Sequence, residues 1–119
     1  MENTNPDKPD ISARRAPAPI LRALRGIGAD LTVWRKLRGL TQAQLADRAG
    51  VARTTVVRLE HGHGAVSLEN VLRVARALGL LDTIARAVDP YESDVGRLRA
   101  DEQLPRRVRP RRLDEPGDG

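Results

Sequence analysis

Between Gly28 and Val88 apolar residues recur every three or four positions, and no proline interrupts the stretch. A period near 3.6 predicts short amphipathic helices, punctuated by Gly39, Gly50, Gly62, Gly64 and Gly79. The first helix is expected from Asp30, its N-cap, to Arg38, with Leu31, Trp34 and Leu37 on an inner face and Gly39 as its stop. Thr41 and Gln44 stand three apart, the spacing of a capping box, and open a second helix that turns Leu45, Ala46 and Ala49 inward until Gly50. After only Val51 and Ala52 a third helix runs to about Glu60 and buries Val56 and Leu59. Ser67 caps a fourth through Leu78, striped by Leu68, Val71, Leu72, Ala75 and Leu78. Glu69 lies near its positive end, and Arg73 and Arg76 lie toward its negative end. A fifth segment spaces Leu80, Leu81, Ile84 and Val88 along one side before Pro90 ends it.

The flanks read differently. Residues 1–26 carry Pro6, Pro9, Pro17 and Pro19, mixed charges and no sustained period, which predicts a flexible N-terminal arm. Within it Ile20, Leu21 and Leu24, beside Arg22 and Arg25, suggest no more than a short amphipathic turn. Residues 27–88 are expected to form the folded domain. A C-terminal extension, 89–119, is expected to hold one short helix over 92–102 with Val95 and Leu98, stopped by Pro105, and then a basic tail. That tail gathers Arg106, Arg107, Arg109, Arg111 and Arg112, whereas residues 89–103 set five acids against two arginines.

Composition narrows the function. A chain of 119 residues with one Trp, one Tyr and no Phe builds one small domain with little room for a deep pocket. The absence of cysteine excludes disulfides and thiolate metal clusters and fits a reducing cytoplasm. No apolar run reaches the roughly 18 residues of a membrane span, and no leader-like segment opens the chain. Ser12, Ser67 and Ser93 have no base beside them, and no glycine-rich phosphate loop follows a strand. The chain is therefore expected to be a cytoplasmic non-enzyme without cofactor or metal. Nineteen of the 21 cationic side chains are arginine, and the net charge is +5. The guanidinium fork suits phosphates and guanine edges, although a GC-rich genome favours arginine too.

The most specific feature is the stretch from Thr41 to Glu60. Ala46 sits where two steeply crossing helices meet, Gly50 supplies an open backbone at the turn, and Val51, Val56 and Leu59 close the wedge. With Gly39-Leu40-Thr41-Gln42, Leu45-Ala46, Ala49-Gly50-Val51, Leu59-Glu60, Gly62, Ser67-Leu68-Glu69-Asn70-Val71-Leu72 and Ala77-Leu78-Gly79, it resembles the Cro/C1-type, or xenobiotic-response-element, helix-turn-helix family over about residues 28–88. The resemblance implies an all-α, compact five-helix, lambda-repressor-like domain. It also implies a third helix docked in the major groove of double-stranded DNA, usually as a homodimer on a palindromic operator.

Carried over by position, the resemblance assigns base reading to Ala52, Arg53, Thr54 and Arg58, and a phosphate contact to Gln42. It also implies a partly buried structural ion pair between Arg35 and Glu60. Side-chain chemistry agrees with the base-reading assignment. Arg53 can take guanine O6 and N7 bidentately, and the hydroxyls of Thr54 and Thr55 suit phosphate or base. At Ala52 the sequence departs from the family, which usually has Ser or Thr as the helix cap there. His61 and His63, with Arg38 and the start of the fourth helix, are expected to approach phosphate; two histidines without a third ligand do not make a metal site. Leu80, Leu81, Ile84 and Val88 are the expected dimer surface. Compact members of this family also serve as antitoxins, repressing their own operon while masking a toxin, often kinase-type. The C-terminal extension leaves room for such a partner.

Overall fold

The structure, a computed structural model, describes residues 15–104 and is all-helical there. Its elements are α1 (Ala18–Leu37), α2 (Gln42–Ala49), α3 (Arg53–Glu60), α4 (Leu68–Ala77), α5 (Leu81–Ala87), a 3₁₀ turn (Pro90–Glu92) and α6 (Asp94–Gln103). The chain divides into two compact units, one ending at Leu81 and the other beginning at Asp82. The first fourteen residues and the basic run after Leu104 lie outside the described residues.

In the first unit, α1 to α4 close around Leu31, Leu40, Leu45, Ala46, Ala49, Val56, Leu59, Val74 and Leu78, with Val51, Val66, Val71, Ala77 and Leu80 packed against that cluster. Leu45, Val56, Val74 and Leu78 are the largest fully buried side chains. Burying each contributes roughly 1.5–3 kcal/mol, so a core without Phe is held by aliphatic side chains shared among four helices.

The capping box forms as its spacing predicts. The Thr41 hydroxyl accepts from the Gln44 amide N–H at 3.1 Å, and the Gln44 side-chain oxygen accepts from the Thr41 N–H at 2.9 Å. Ser67 likewise accepts from the Asn70 N–H and starts α4. Ala52 opens α3 in an extended conformation, φ −70° and ψ 148°, but offers no side-chain cap.

The first helix corrects the sequence reading most. Instead of a flexible arm reaching residue 26 and a cap at Asp30, one 20-residue helix begins at Ala18 and passes straight through Asp30. The prolines do not oppose it. Pro17 is the N-cap residue, whose carbonyl accepts from the Ile20 and Leu21 N–H groups, and Pro19 lies in the first turn, where no backbone N–H is needed. Packing then holds the N-terminal half. Gly28 faces the end of α3 so closely that a Cβ there would stand 2.5 Å from the Leu59 carbonyl and 2.6 Å from that of Glu60. At Gly62, where φ is +79°, a Cβ would come within 3.0 Å of the Arg25 backbone; at Gly64 it would touch Leu24. Two close approaches thus lay α1 along α3 and the turn that follows.

Three inner-face expectations also change. Leu37 and Leu68 are exposed, and Trp34 is more than a third exposed, with the Arg38 guanidinium 5.7 Å from its ring centroid. Leu68 shares its side of α4 with Ala75, seven residues on, but stands in the first turn, and the buried face is carried further along by Val74 and Ala75. The fourth helix ends at Ala77, with Leu78 as its buried C-cap. Leu80 precedes α5 and packs on the core.

In the second unit Asp89 caps the 3₁₀ turn, accepting from the Tyr91 N–H, and Ser93 caps α6, accepting from the Gly96 N–H. Arg97 pairs with Asp94 and donates to the Tyr91 carbonyl at 3.0 Å. Ala100 is buried, while Val95 and Leu98 are exposed.

Candidate nucleic-acid interface

The sharp α2–α3 turn depends on Gly50, whose φ of +71° lies in the left-handed region that a side chain disfavours. Val51 donates its N–H back to the Ala46 carbonyl at 3.0 Å and packs against the core. Ala46, 4% exposed, leaves α2 and α3 room to cross. The chain therefore re-enters a helix at Arg53 after three residues, Gly50 to Ala52, with the start of α3 turned outward.

On α3, Val56 and Leu59 are buried. At about 100° per residue the opposite side presents Arg53, Thr54 and Arg58, all exposed, with the half-buried Val57 between them. Thr55 is half-buried on the flank and stands apart from this row, while Ala52 is exposed at the helix start. His61 and His63 are exposed beyond the helix end, and the His61 Nδ1 lies 2.8 Å from the Val57 carbonyl. Val57 is the position that sequence reasoning missed. Its signal was available: four residues after Arg53 and three after Thr54, it must share their face.

Behind this row lies a polar knot. Arg35 donates from Nε to Glu60 Oε2 at 2.7 Å and from Nη2 to Oε1 at 3.2 Å, and its Nη1 donates to the Leu40 carbonyl at 2.8 Å. The two side chains are 12% and 6% exposed. Gln42 donates from Nε2 to the same Glu60 Oε1 at 3.0 Å, so the first residue of α2 is tied to the last residue of α3. Burial pushes the Glu60 pKa up, but the hydrogen bonds from Arg35 and Gln42 and the Arg35 charge outweigh it. The carboxyl is held below its ordinary value. Gln42 keeps one amide proton and its side-chain oxygen beyond this bond.

Of the four residues expected to form a dimer surface, Leu80 lies against the core, Ile84 is half-buried, and Leu81 and Val88 are exposed. Among the described residues no group of three or more His, Asp or Glu is placed to hold a metal, and no helix is long and apolar enough to cross a membrane. Charge is divided between the units. Residues 15–81 carry eleven Lys and Arg against four Asp and Glu, and residues 82–104 carry three Arg against six acids.

Comparison with known proteins bears on the first unit. The helix-turn-helix family model matches residues 33–83. An uncharacterized HTH-type transcriptional regulator of Methanothermobacter thermautotrophicus is 53% identical over 45 residues, which make up 38% of this chain and 65% of the relative. The match thus spans just under two thirds of that relative's length. Residues 33–83 are thus similar to the helix-turn-helix family, and the α2–α3 pair with its left-handed turn at Gly50 has the local form that this likeness implies.

Proposed function

We propose that the protein is a sequence-specific DNA-binding transcriptional regulator that represses as a homodimer on a palindromic operator, with α3 in the major groove. One observation carries the reading: the outward row of Arg53, Thr54, Val57 and Arg58, on a helix whose start is thrown outward by the Gly50 turn. Arg53 takes a guanine edge, Thr54 takes a base or phosphate, Val57 meets a thymine methyl, and Arg58 takes a base or the backbone. Ala52 leaves the helix start open to close approach. Gln42, its amide aimed by Glu60, offers its remaining proton to a phosphate, and His61 and His63 approach the backbone beyond the row. Leu80, Leu81, Ile84 and Val88 supply the apolar side chains that join the two protomers. The working place is the cytoplasm, on the DNA.

The test is a fluorescence-anisotropy titration of the full chain against its own upstream DNA and against a random duplex near physiological salt. A regulator of its own gene binds its own DNA about a thousandfold more tightly or better. Arg53→Ala is expected to lose about 1–3 kcal/mol on the specific site and relax selectivity at one base pair, with random DNA little affected. Equal losses on both duplexes would reduce Arg53 to a phosphate contact.

The second unit favours a second reading, an antitoxin that also masks a toxin, often of the kinase type. Its described residues are net acidic and leave Val95, Leu98 and Leu104 exposed, a surface suited to a protein rather than to DNA. Co-expression with the adjacent gene product separates the two: a stable complex that loosens in Val95→Asp/Leu98→Asp supports the antitoxin, and no complex leaves the plain repressor.

A further inference from the structure

The Val57 carbonyl accepts twice from His61, from its backbone N–H at 3.1 Å and from its ring Nδ1 at 2.8 Å. A carbonyl oxygen only accepts, so Nδ1 is the ring nitrogen that carries the hydrogen. The tautomer of the neutral ring is thereby fixed, with a bare lone pair on Nε2. That atom stands on the far side of the ring from the bond to Val57, the residue is exposed, and among the described residues Nε2 has no hydrogen-bond partner. Protonation turns its lone pair into a second N–H and gives the ring a positive charge. A phosphodiester oxygen is anionic and only accepts, so it meets Nε2 favourably in the charged ring alone.

The position of His61 brings it to such an oxygen. It stands four residues after Val57 and eight after Arg53, continuing the outward row, and so lies about 12 Å from Arg53 along the helix axis. The major groove is about 12 Å wide and about 8.5 Å deep. With Arg53 on a base edge, the end of α3 therefore stands at the sugar-phosphate backbone. His63 is exposed too, but its ring has no partner among the described residues. Either of its nitrogens can carry the hydrogen, so a neutral His63 donates to phosphate by changing tautomer and takes up no proton.

The described residues offer a charged His61 no counter-ion. Arg58 and Glu60 flank it on α3, His63 follows in the turn, and the Arg25 backbone of α1 lies against Gly62. On the α2 side stands the uncharged Gln42. Glu60 is taken up by Arg35 and Gln42, Glu69 at the start of α4 is taken up by Arg73, and neither histidine is in an ion pair. The anion that completes the site is thus one that arrives with the nucleic acid.

From this we infer that His61 is a phosphate ligand that works only when protonated, so that each chain takes up a proton as it binds DNA. The role rests on the docking of α3 proposed above and adds a dependence on pH, with binding tighter as the pH falls.

Histidine is the side chain whose charge ordinarily changes between about pH 5 and 8. The chain has two, and no cysteine. Glu60, held below its ordinary value, stays charged across that range. At constant salt the full chain is expected to bind its own upstream DNA at least about threefold more tightly at pH 6 than at pH 8, with about tenfold per pH unit and chain as the ceiling for one proton. Calorimetric titration near pH 7 in two buffers of different ionisation enthalpy counts the protons, and should find uptake of up to about one per chain. His61→Gln, which cannot become charged, is expected to lose both the uptake and the pH dependence. His61→Arg, always charged, should bind at pH 8 about as tightly as the parent does at pH 6, and His63→Gln should keep the parent's dependence. Both histidines are exposed, so far-UV circular dichroism should match the parent in all three variants. Binding equally tight at both pH values, without proton uptake, overturns the role of His61. So does a dependence that persists in His61→Gln or vanishes in His63→Gln. A chain that binds no duplex at either pH removes the docking of α3 itself, and this role with it.

Discussion

At the scale of single residues Glu60 does the most. It ends α3, binds Arg35 of α1 through two nitrogens and holds the Gln42 amide of α2, so one carboxylate fixes three helices. Such a pair orients more than it stabilises, because both charges have left water, but removing one partner strands the other. Glu60→Gln is therefore expected to cost about 2–3 kcal/mol at neutral pH in urea denaturation. The sign of the pH dependence follows from its depressed pKa. The contribution is fully present above the unfolded-state value, near 4.3, and is lost as pH falls through the lower folded value, where the native carboxylate finally takes its proton. The gap between parent and Glu60→Gln should accordingly begin to close as the pH falls past that unfolded-state value and go on closing until the pH lies below the folded one. A gap of constant size down to pH 3 would mean that the charge is not what matters.

At the scale of elements, α3 is a short helix with a defect at its start. Ala52 already has the extended backbone of an N-cap but no oxygen to accept from the first turn. Ala52→Ser should raise stability by about 1 kcal/mol, seen as a later midpoint with unchanged slope in urea, and leave the fold as it is. No gain would show that the α3 N–H groups are already satisfied. Helix starts and stops of this kind are legible along the chain, because a capping box at Thr41 and Gln44 and a left-handed glycine at position 50 are local chemistry. The origin of α1 is not. What keeps residues 18–29 helical is the approach of Gly28 and Arg25 to carbonyls and a turn more than thirty residues further on, and no local pattern records it. The same limit hides the exposure of Leu37 and Leu68, since a 3.6-residue period names a stripe without saying where the neighbouring helix ends. On α3 the periodicity does suffice for Arg53, Thr54 and Arg58. Val57 has the same spacing but, being apolar, carries no group that marks it as part of that row.

At the scale of the whole molecule, charge is dealt out in blocks: a cationic helix-turn-helix unit, an acidic stretch over 82–104, and five arginines between 106 and 112. Blocks of one sign act on DNA through counterion release, which depends on how many phosphates are neutralised and not on base sequence. If the last block touches DNA, removing residues 104–119 weakens binding to operator and random duplex by the same factor. The steepness of log K against log salt then falls by about 0.9 for each phosphate no longer neutralised, so by at most about 4 to 5 for five arginines. The ratio between the two duplexes, which rests on the α3 row, should not move. An unchanged salt slope would take the basic run away from DNA and leave it to an acidic partner; a changed ratio would mean that the tail helps read sequence, by entering a groove instead of tracking the backbone.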